Sequence, residues 1–210
     1  MCMIRDYFTE ISKSLLEDEK PSHFLNTISR EARFKEHPFD MLYILKETPQ
    51  SPVHHPEGSV WNHTLMVVDE AAKRRESCEE KRAFMWAALL HDIGKGPTTK
   101  LRKGRITSYD HDRVGMELAE SFLKTLTDDS DFIKRVAVIV RWHMQPLFVV
   151  KDLPFAKLLD MLEDIKLEEI ALFSLCDRLG RGNMDSRKAE EEIHSIETFK
   201  DKCRELLVHH

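Results

Sequence analysis

Apolar residues recur at three- and four-residue spacing along most of the chain, which is the periodicity of amphipathic helices. In the first fifty residues this spacing predicts two or three packing helices, the first carrying Tyr7, Phe8, Ile11 and Leu15. Beyond them it predicts helices at about residues 60–75, 80–93, 111–126, 129–144, 155–162, 167–179 and 185–207. The pattern therefore indicates an all-α protein.

Two segments interrupt the helical pattern. Residues 48–58 hold three prolines and a glycine, which predicts an ordered loop. Residues 95–110 are predicted to form a second loop, with five basic residues and no acidic one before Asp110. The pairs Gly94 with Gly96 and Gly180 with Gly182 are expected to end the helices that precede them.

The length of 210 residues suits one domain that buries its own core. We expect a single domain over 1–210, divided into N-terminal helices at 1–49, a core at 50–182 and a C-terminal amphipathic helix at 183–210. Seven glycines and eight prolines are too few for a strand-and-turn architecture of this length, so a helical bundle is favoured.

Composition limits the functional classes. The formal net charge of -5 gives no extended basic surface for long nucleic acids, so a small phosphorylated substrate is favoured over a polynucleotide. The four cysteines show no metal-binding spacing, and the chain carries no apolar signal or membrane-length segment. We expect a cytoplasmic protein with free thiols and no membrane partner, and leave the oligomeric state open.

Two acidic residues in apolar sequence contexts, together with several histidines, are candidate metal ligands. Asp92 follows His91 at the end of the apolar run 86–90, where a carboxylate is costly unless a cation compensates it. Asp177 has a similar apolar context, and His63 lies one turn into its predicted helix. Imidazole and carboxylate are ligands for Zn, Mn, Fe, Co and Ni, so His63, His91, Asp92 and Asp177 are predicted to hold one divalent ion.

His111 and His143 each lie at the end of a predicted helix and could complete a second site. Asp92 would then bridge two ions, as in two-metal hydrolases. The alternative is that both histidines face the substrate or hydrogen-bond to a ligand, with one ion bound. The sequence selects no particular metal, and Mg²⁺ also remains possible.

Cationic residues near these positions are candidate phosphate ligands. Lys95 follows Asp92 by three residues, and Arg178 and Arg181 follow Asp177. Lys95 could instead be an ordinary solvated lysine, and the basic residues at 100, 102, 103 and 105 are expected to be solvated rather than to collect anions. Tyr109, two residues before His111, is the aromatic residue singled out near this chemistry, whereas Trp61, Trp86 and Trp142 are expected to pack in the core.

The order His63, His91-Asp92, Asp177 resembles the HD phosphohydrolase superfamily, with His111 and His143 matching its dinuclear branch. Over residues 50–182 the chain is similar to the HD domain of bacterial tRNA nucleotidyltransferases and poly(A) polymerases. The similarity rests on these motifs: Gln50-x-Pro-x-x-His55-Pro-Glu-Gly58, His63-Thr-Leu, His91-Asp-Ile-Gly-Lys95-x-Pro-Thr, Gly104-Arg-Ile, His111-Asp and Asp177-x-x-Gly-Arg181. Nothing in the sequence resembles the nucleotidyltransferase head of those enzymes, so nucleotide addition is not implied. Ser59 also stands where that family often has Asp.

The resemblance implies an HD-domain helical bundle that acts alone as a metal-dependent phosphomonoesterase or phosphodiesterase on a nucleotide or other small phosphate ester. The metals would activate a water, Asp92 would bridge them and orient the attacking oxygen, and Lys95 would neutralise developing charge. Two alternatives remain: a non-catalytic sensor of metal and nucleotide, and a di-iron oxygenase. The motifs at 55–58 and 104–106 argue against the oxygenase.

Overall fold

Helices form most of the chain in the computed structural model, which describes residues 2–208, and the all-α class is confirmed. Met1, His209 and His210, and with them both ends of the predicted 1–210 domain, lie outside the described residues. The α-helices are α1 Cys2–Glu17, α2 Pro21–Ile28, α3 Asp40–Tyr43, α4 Val60–Ala72, α5 Lys81–Leu90, α6 Lys95–Thr98, α7 His111–Lys124, α8 Ser130–Trp142, α9 Gln145–Val150, α10 Leu158–Asp164, α11 Leu167–Leu179 and α12 Ser186–Val208. Short 3₁₀ helices lie at Ala32–Lys35, Ile44–Lys46 and Arg75–Ser77.

The segment predicted as a loop at 95–110 is more ordered than expected. After the short helix α6, strands β1 (Lys100–Arg102) and β2 (Arg105–Thr107) pair antiparallel. Lys103 and Gly104 join them with φ values of 48° and 75°, and a two-residue hairpin turn with positive φ at both positions matches the twist of the strands. The prediction of a loop over the whole of 95–110 was therefore wrong.

Helix α5 is the centre of the bundle. Every residue from Ala83 to Leu90 is buried, as expected for a helix that is apolar on all sides. It contacts α1, α4, α8 and α11. His91 and Asp92 follow α5 directly, since the helix ends at Leu90. Both residues are therefore buried in the interior rather than exposed at the surface.

The N-terminal helices complete the core. Tyr7, Ile11 and Leu15 of α1 are buried, and Ser12 accepts a hydrogen bond from the Trp86 indole at 3.0 Å. At the other end of the chain, α12 packs against α11 and α9. None of the helices formed by residues 2–208 combines the length and apolar character of a membrane span.

Candidate metal centre

The six predicted metal ligands come together, although they belong to five separate parts of the chain. All six are buried, with relative exposures of 8% or less. His63 lies in α4 and Asp177 in α11, His111 begins α7, and His143 follows the last residue of α8. His91 and Asp92 were predicted in the last turn of α5 and lie just past its end.

Two glycines allow the helix ends to approach closely. A Cβ atom on Gly94 would lie 2.1 Å from the His111 carbonyl oxygen, and one on Gly180 would lie 2.6 Å from a Val67 methyl group. The first contact holds the start of α7 beside Asp92. The second holds the end of α11 against α4, which brings Asp177 to His63. Both positions therefore need glycine because of space.

One group of ligand atoms surrounds Asp92 Oδ2. His91 Nε2 lies 3.3 Å and His63 Nε2 3.9 Å from that oxygen. Asp177 Oδ1 closes the group, at 2.9 Å from His63 Nε2 and 4.0 Å from His91 Nε2. His63, His91 and Asp92 offer ligand atoms that all lie within 4.8 Å of one another.

A second group surrounds the other oxygen of the same carboxylate. His111 Nε2 lies 3.5 Å and His143 Nε2 3.9 Å from Asp92 Oδ1. These two nitrogens are 3.3 Å apart, and the three residues again form a compact ligand set. Asp92 thus presents one oxygen to each group, which is the arrangement a bridging carboxylate requires.

The backbone orients three of the rings. Nδ1 of His91, His111 and His143 lies 2.9, 2.7 and 2.7 Å from the carbonyl oxygen three residues earlier, namely that of Ala88, Ser108 and Val140. The last carbonyls of a helix lack partners within the helix, so a histidine just after α5 or α8 can donate to one. With the proton on Nδ1, the Nε2 lone pair faces Asp92, as metal-binding histidines require.

The donor set fits divalent cations. His91 Nε2 is buried without a hydrogen-bond partner among the described residues. The lone pairs of His111 and His143 face each other at 3.3 Å, which is unfavourable unless a cation lies between them. Nitrogen and carboxylate ligands of this kind suit first-row transition metals. The residues present therefore match the metal chemistry that the sequence suggested.

Electrostatics favour the metal-binding protonation states of Asp92, His111 and His143, whereas His63 is favoured in its protonated form by its two carboxylate partners. Burial alone would raise the pKa of Asp92, but Lys95 and His91 hold it well below the usual value. Burial lowers the pKa of His111 to about 4 and also lowers that of His143. For His63, burial acts downward, yet its hydrogen bonds to Asp177 and Glu57 raise the pKa. Asp92 is thus ionised and both histidines of the second group are neutral near pH 7.

Glu57 is a residue of this centre that the sequence reasoning missed. Its Oε1 lies 3.1 Å from His63 Nδ1 and 2.8 Å from His55 Nδ1, and its Oε2 accepts from the Gly182 backbone at 2.9 Å. A carboxylate on the far nitrogen of a ligating histidine fixes the ring and strengthens the ligand. Its only sequence signal was its place in the His55-Pro-Glu-Gly motif.

A cavity of about 260 Å³ opens onto the ligands. Lys95 lines it, with Nζ 2.7 Å from both Asp92 Oδ2 and Gln50 Oε1. Further cavity residues include Ser51, His54, His55, Lys151 and Arg181. The predicted phosphate ligands Lys95 and Arg181 therefore both line the cavity that opens onto the metal-binding groups.

Arg178 does not line this cavity. It is buried between α11 and α12, where it donates to Glu192 at 2.5 Å and to Ser195 at 3.1 Å. Successive helical residues are about 100° apart, so Asp177 and Arg178 cannot face the same way. This placement corrects the expectation that Arg178 contacts phosphate.

Comparison with known proteins agrees with this geometry. A family model described as HD domain matches residues 60–181. Several similar curated proteins carry the name Multifunctional CCA protein. That of Actinobacillus pleuropneumoniae serotype 5b (strain L20) is 38% identical over 97 residues, 45% of this chain and 22% of that protein. That of Azoarcus sp. (strain BH72) is 32% identical, covering 64% of this chain and 32% of that protein.

A longer match extends over most of the chain. The Multifunctional CCA protein of Teredinibacter turnerae (strain ATCC 39867 / T7901) is 25% identical over 198 residues, 91% of this chain and 46% of that protein. The chain thus spans less than half the length of these relatives.

Proposed function

The chain belongs to the HD-domain family, and on that premise we propose that it is a metal-dependent phosphohydrolase acting on a small phosphate ester, with nucleotides as the favoured substrate class. One observation carries the proposal: Asp92 offers its two oxygens to two histidine groups at the base of a cavity lined with cations. A site of this kind suits a doubly charged ion on one side and an anionic ester on the other.

The ligand groups define where divalent ions would bind. His63, His91, Asp92 and Asp177 would hold the first, and His111 and His143 with Asp92 the second. Such ions act as Lewis acids toward phosphoryl oxygens and generate a nucleophile from water at neutral pH. The protein supplies a buried carboxylate between the two groups, and Asp92 is held there by Lys95 and by the end of α5.

Lys95 would supply a protein cation for the phosphate. Gln50 and Asp92 fix its ammonium group by contacts of 2.7 Å on each side, and its side chain is only 12% exposed. A preorganised charge of this kind stabilises the negative charge that develops on the equatorial oxygens during phosphoryl transfer. Arg181 and Lys151, which also line the cavity, would neutralise the remaining phosphate charge.

The test is a substrate screen with the purified protein. We expect phosphate or alcohol release from at least one nucleotide or related ester when Mn, Ni, Co, Mg or Fe is supplied, and none after chelation. Tight nucleotide binding without any hydrolysis would support the alternative of a non-catalytic sensor. A cavity lined by Lys95, Lys151 and Arg181 favours an anionic substrate over the uncharged one that a di-iron oxygenase could accept.

A further inference from the structure

A second, larger cleft adjoins the metal centre. It has a volume of about 810 Å³, and Ser108, His111 and Met144 line both it and the metal-facing cavity. His111 therefore forms part of the boundary between the two spaces. The cleft therefore lies directly beside the metal-binding residues.

Exposed aromatic side chains line the cleft. Tyr109 is 63% and Phe155 is 60% exposed, although rings of this size usually bury most of their surface in a fold. Phe148 meets Phe155 edge to face at 5.7 Å between ring centroids. The Arg102 guanidinium lies 4.8 Å from the centroid of the Tyr109 ring. These groups offer flat apolar surfaces and a stacked cation beside the metal centre.

The charged residues of the cleft favour an anionic or electron-rich ligand. Arg141 is paired with Asp112 at 2.5 Å, so these two charges compensate each other. Lys157 is likewise paired with Asp160 at 3.4 Å. Arg102 and Arg113 then stand beside one acidic residue, Asp110, in the lining of the cleft. The cleft therefore keeps a small excess of positive charge, from Arg102 and Arg113, beside the cavity that Lys95, Lys151 and Arg181 line.

We propose that this cleft binds the nucleoside part of a mononucleotide whose phosphate lies at the metal centre, with the base stacked on Tyr109 and Phe155. The inference rests on the proposed hydrolase function, and it names the group that distinguishes the substrate from other phosphate esters. Each of the nucleic-acid bases can stack on an aromatic ring or on the plane of an arginine guanidinium group. The net charge of -5 favours a mononucleotide over a long polynucleotide.

Binding of adenosine tests the cleft without any need for turnover. Adenosine carries a base but no phosphate, and it is titrated into isotope-labelled protein while backbone amide shifts are followed. We expect saturable shifts near residues 108–113 and 153–157, and none with ribose. Tyr109→Leu should weaken adenosine binding about tenfold, whereas Tyr109→Phe, which keeps the ring, should stay within about twofold of wild type.

The outcomes separate the cleft from the catalytic proposal. Absence of adenosine shifts in the cleft, equal shifts with ribose, or unchanged affinity in Tyr109→Leu would overturn the inference even if the protein hydrolyses phosphate esters. A short single-stranded RNA that binds more tightly than AMP and shifts amides far outside the cleft would also overturn it. If adenosine binding depends on Tyr109 but the protein has no hydrolytic activity, the proposed nucleoside-binding cleft would be supported and the proposed hydrolase function would be refuted.

Discussion

Replacing Lys95 with methionine tests the electrostatics of the centre in both its metal-free and metal-loaded forms. Lys95 Nζ lies 2.7 Å from Asp92 Oδ2, and the two side chains are 12% and 2% exposed. At an effective dielectric constant of about 20 their gross attraction is about 6 kcal/mol. Breaking a buried pair typically costs about 3–5 kcal/mol, because one charge is left uncompensated.

In metal-free protein we therefore expect Lys95→Met to lower the free energy of unfolding by about 3 kcal/mol, which corresponds to about 6–12 °C in melting temperature for a domain of this size. With divalent metal present the loss should be less than half as large, because the ion compensates Asp92. By thermodynamic linkage the variant should bind metal more tightly than wild type.

Thermal unfolding with chelator and with added Mn²⁺ measures both losses. Lys13→Met is the matched control, because the Lys13 side chain is 72% exposed and its contact with Glu17 is long, at 4.0 Å. This variant should change the melting temperature by no more than about 2 °C, with chelator or with Mn²⁺. Metal-loaded Lys95→Met should also lose roughly a hundredfold in turnover. Equal destabilisation with and without metal would show that Lys95 and the ion do not share Asp92, and the reasoning would fail.

Three further predictions concern the ligands. His111→Ala should retain about one metal per chain, so unchanged stoichiometry relative to wild type, measured by elemental analysis, would refute a dinuclear centre. Glu57→Gln should fold normally but bind metal about 10–100-fold more weakly, and unaltered affinity would show that Glu57 does not support His63. Burial lowers the pKa of His111 to about 4, so between about pH 6.5 and 4 the unfolded chain takes up a proton that the folded chain does not. Metal-free protein should lose stability across that interval on acidification, and His111→Gln should reduce this slope; an identical slope would contradict the shift.

The regular helices were readable from the sequence because their apolar faces are long and periodic. The predicted helix at 167–179 coincides with α11, Leu167–Leu179. The hairpin at β1 and β2 escaped detection because each strand has three residues and every residue of β1 is exposed, so no alternating burial marks it. The Lys103-Gly104 turn was its only local signal.

Some residues of the metal centre could likewise be predicted from sequence spacing, whereas others could be recognised only from the three-dimensional structure. His-Asp adjacency after an apolar helix identified His91 and Asp92. Glu57 lies in a proline-rich loop without periodicity, so its contacts with two histidines depend on how that loop folds over α4. Arg178 and Arg181 looked equivalent in sequence, but only Arg181, which lies past the end of α11, lines the cavity.

Hydrolysis by matched preparations of wild type and Asp92→Asn tests the central claim most directly. The substitution keeps the shape of the side chain but removes the charge shared by both ligand groups. The account predicts that metal-supplemented wild type releases phosphate or alcohol from a nucleotide ester, and that Asp92→Asn binds little metal and shows no turnover above background. Wild-type hydrolysis that persists after chelation, or an Asp92→Asn variant as active as wild type, would contradict the account.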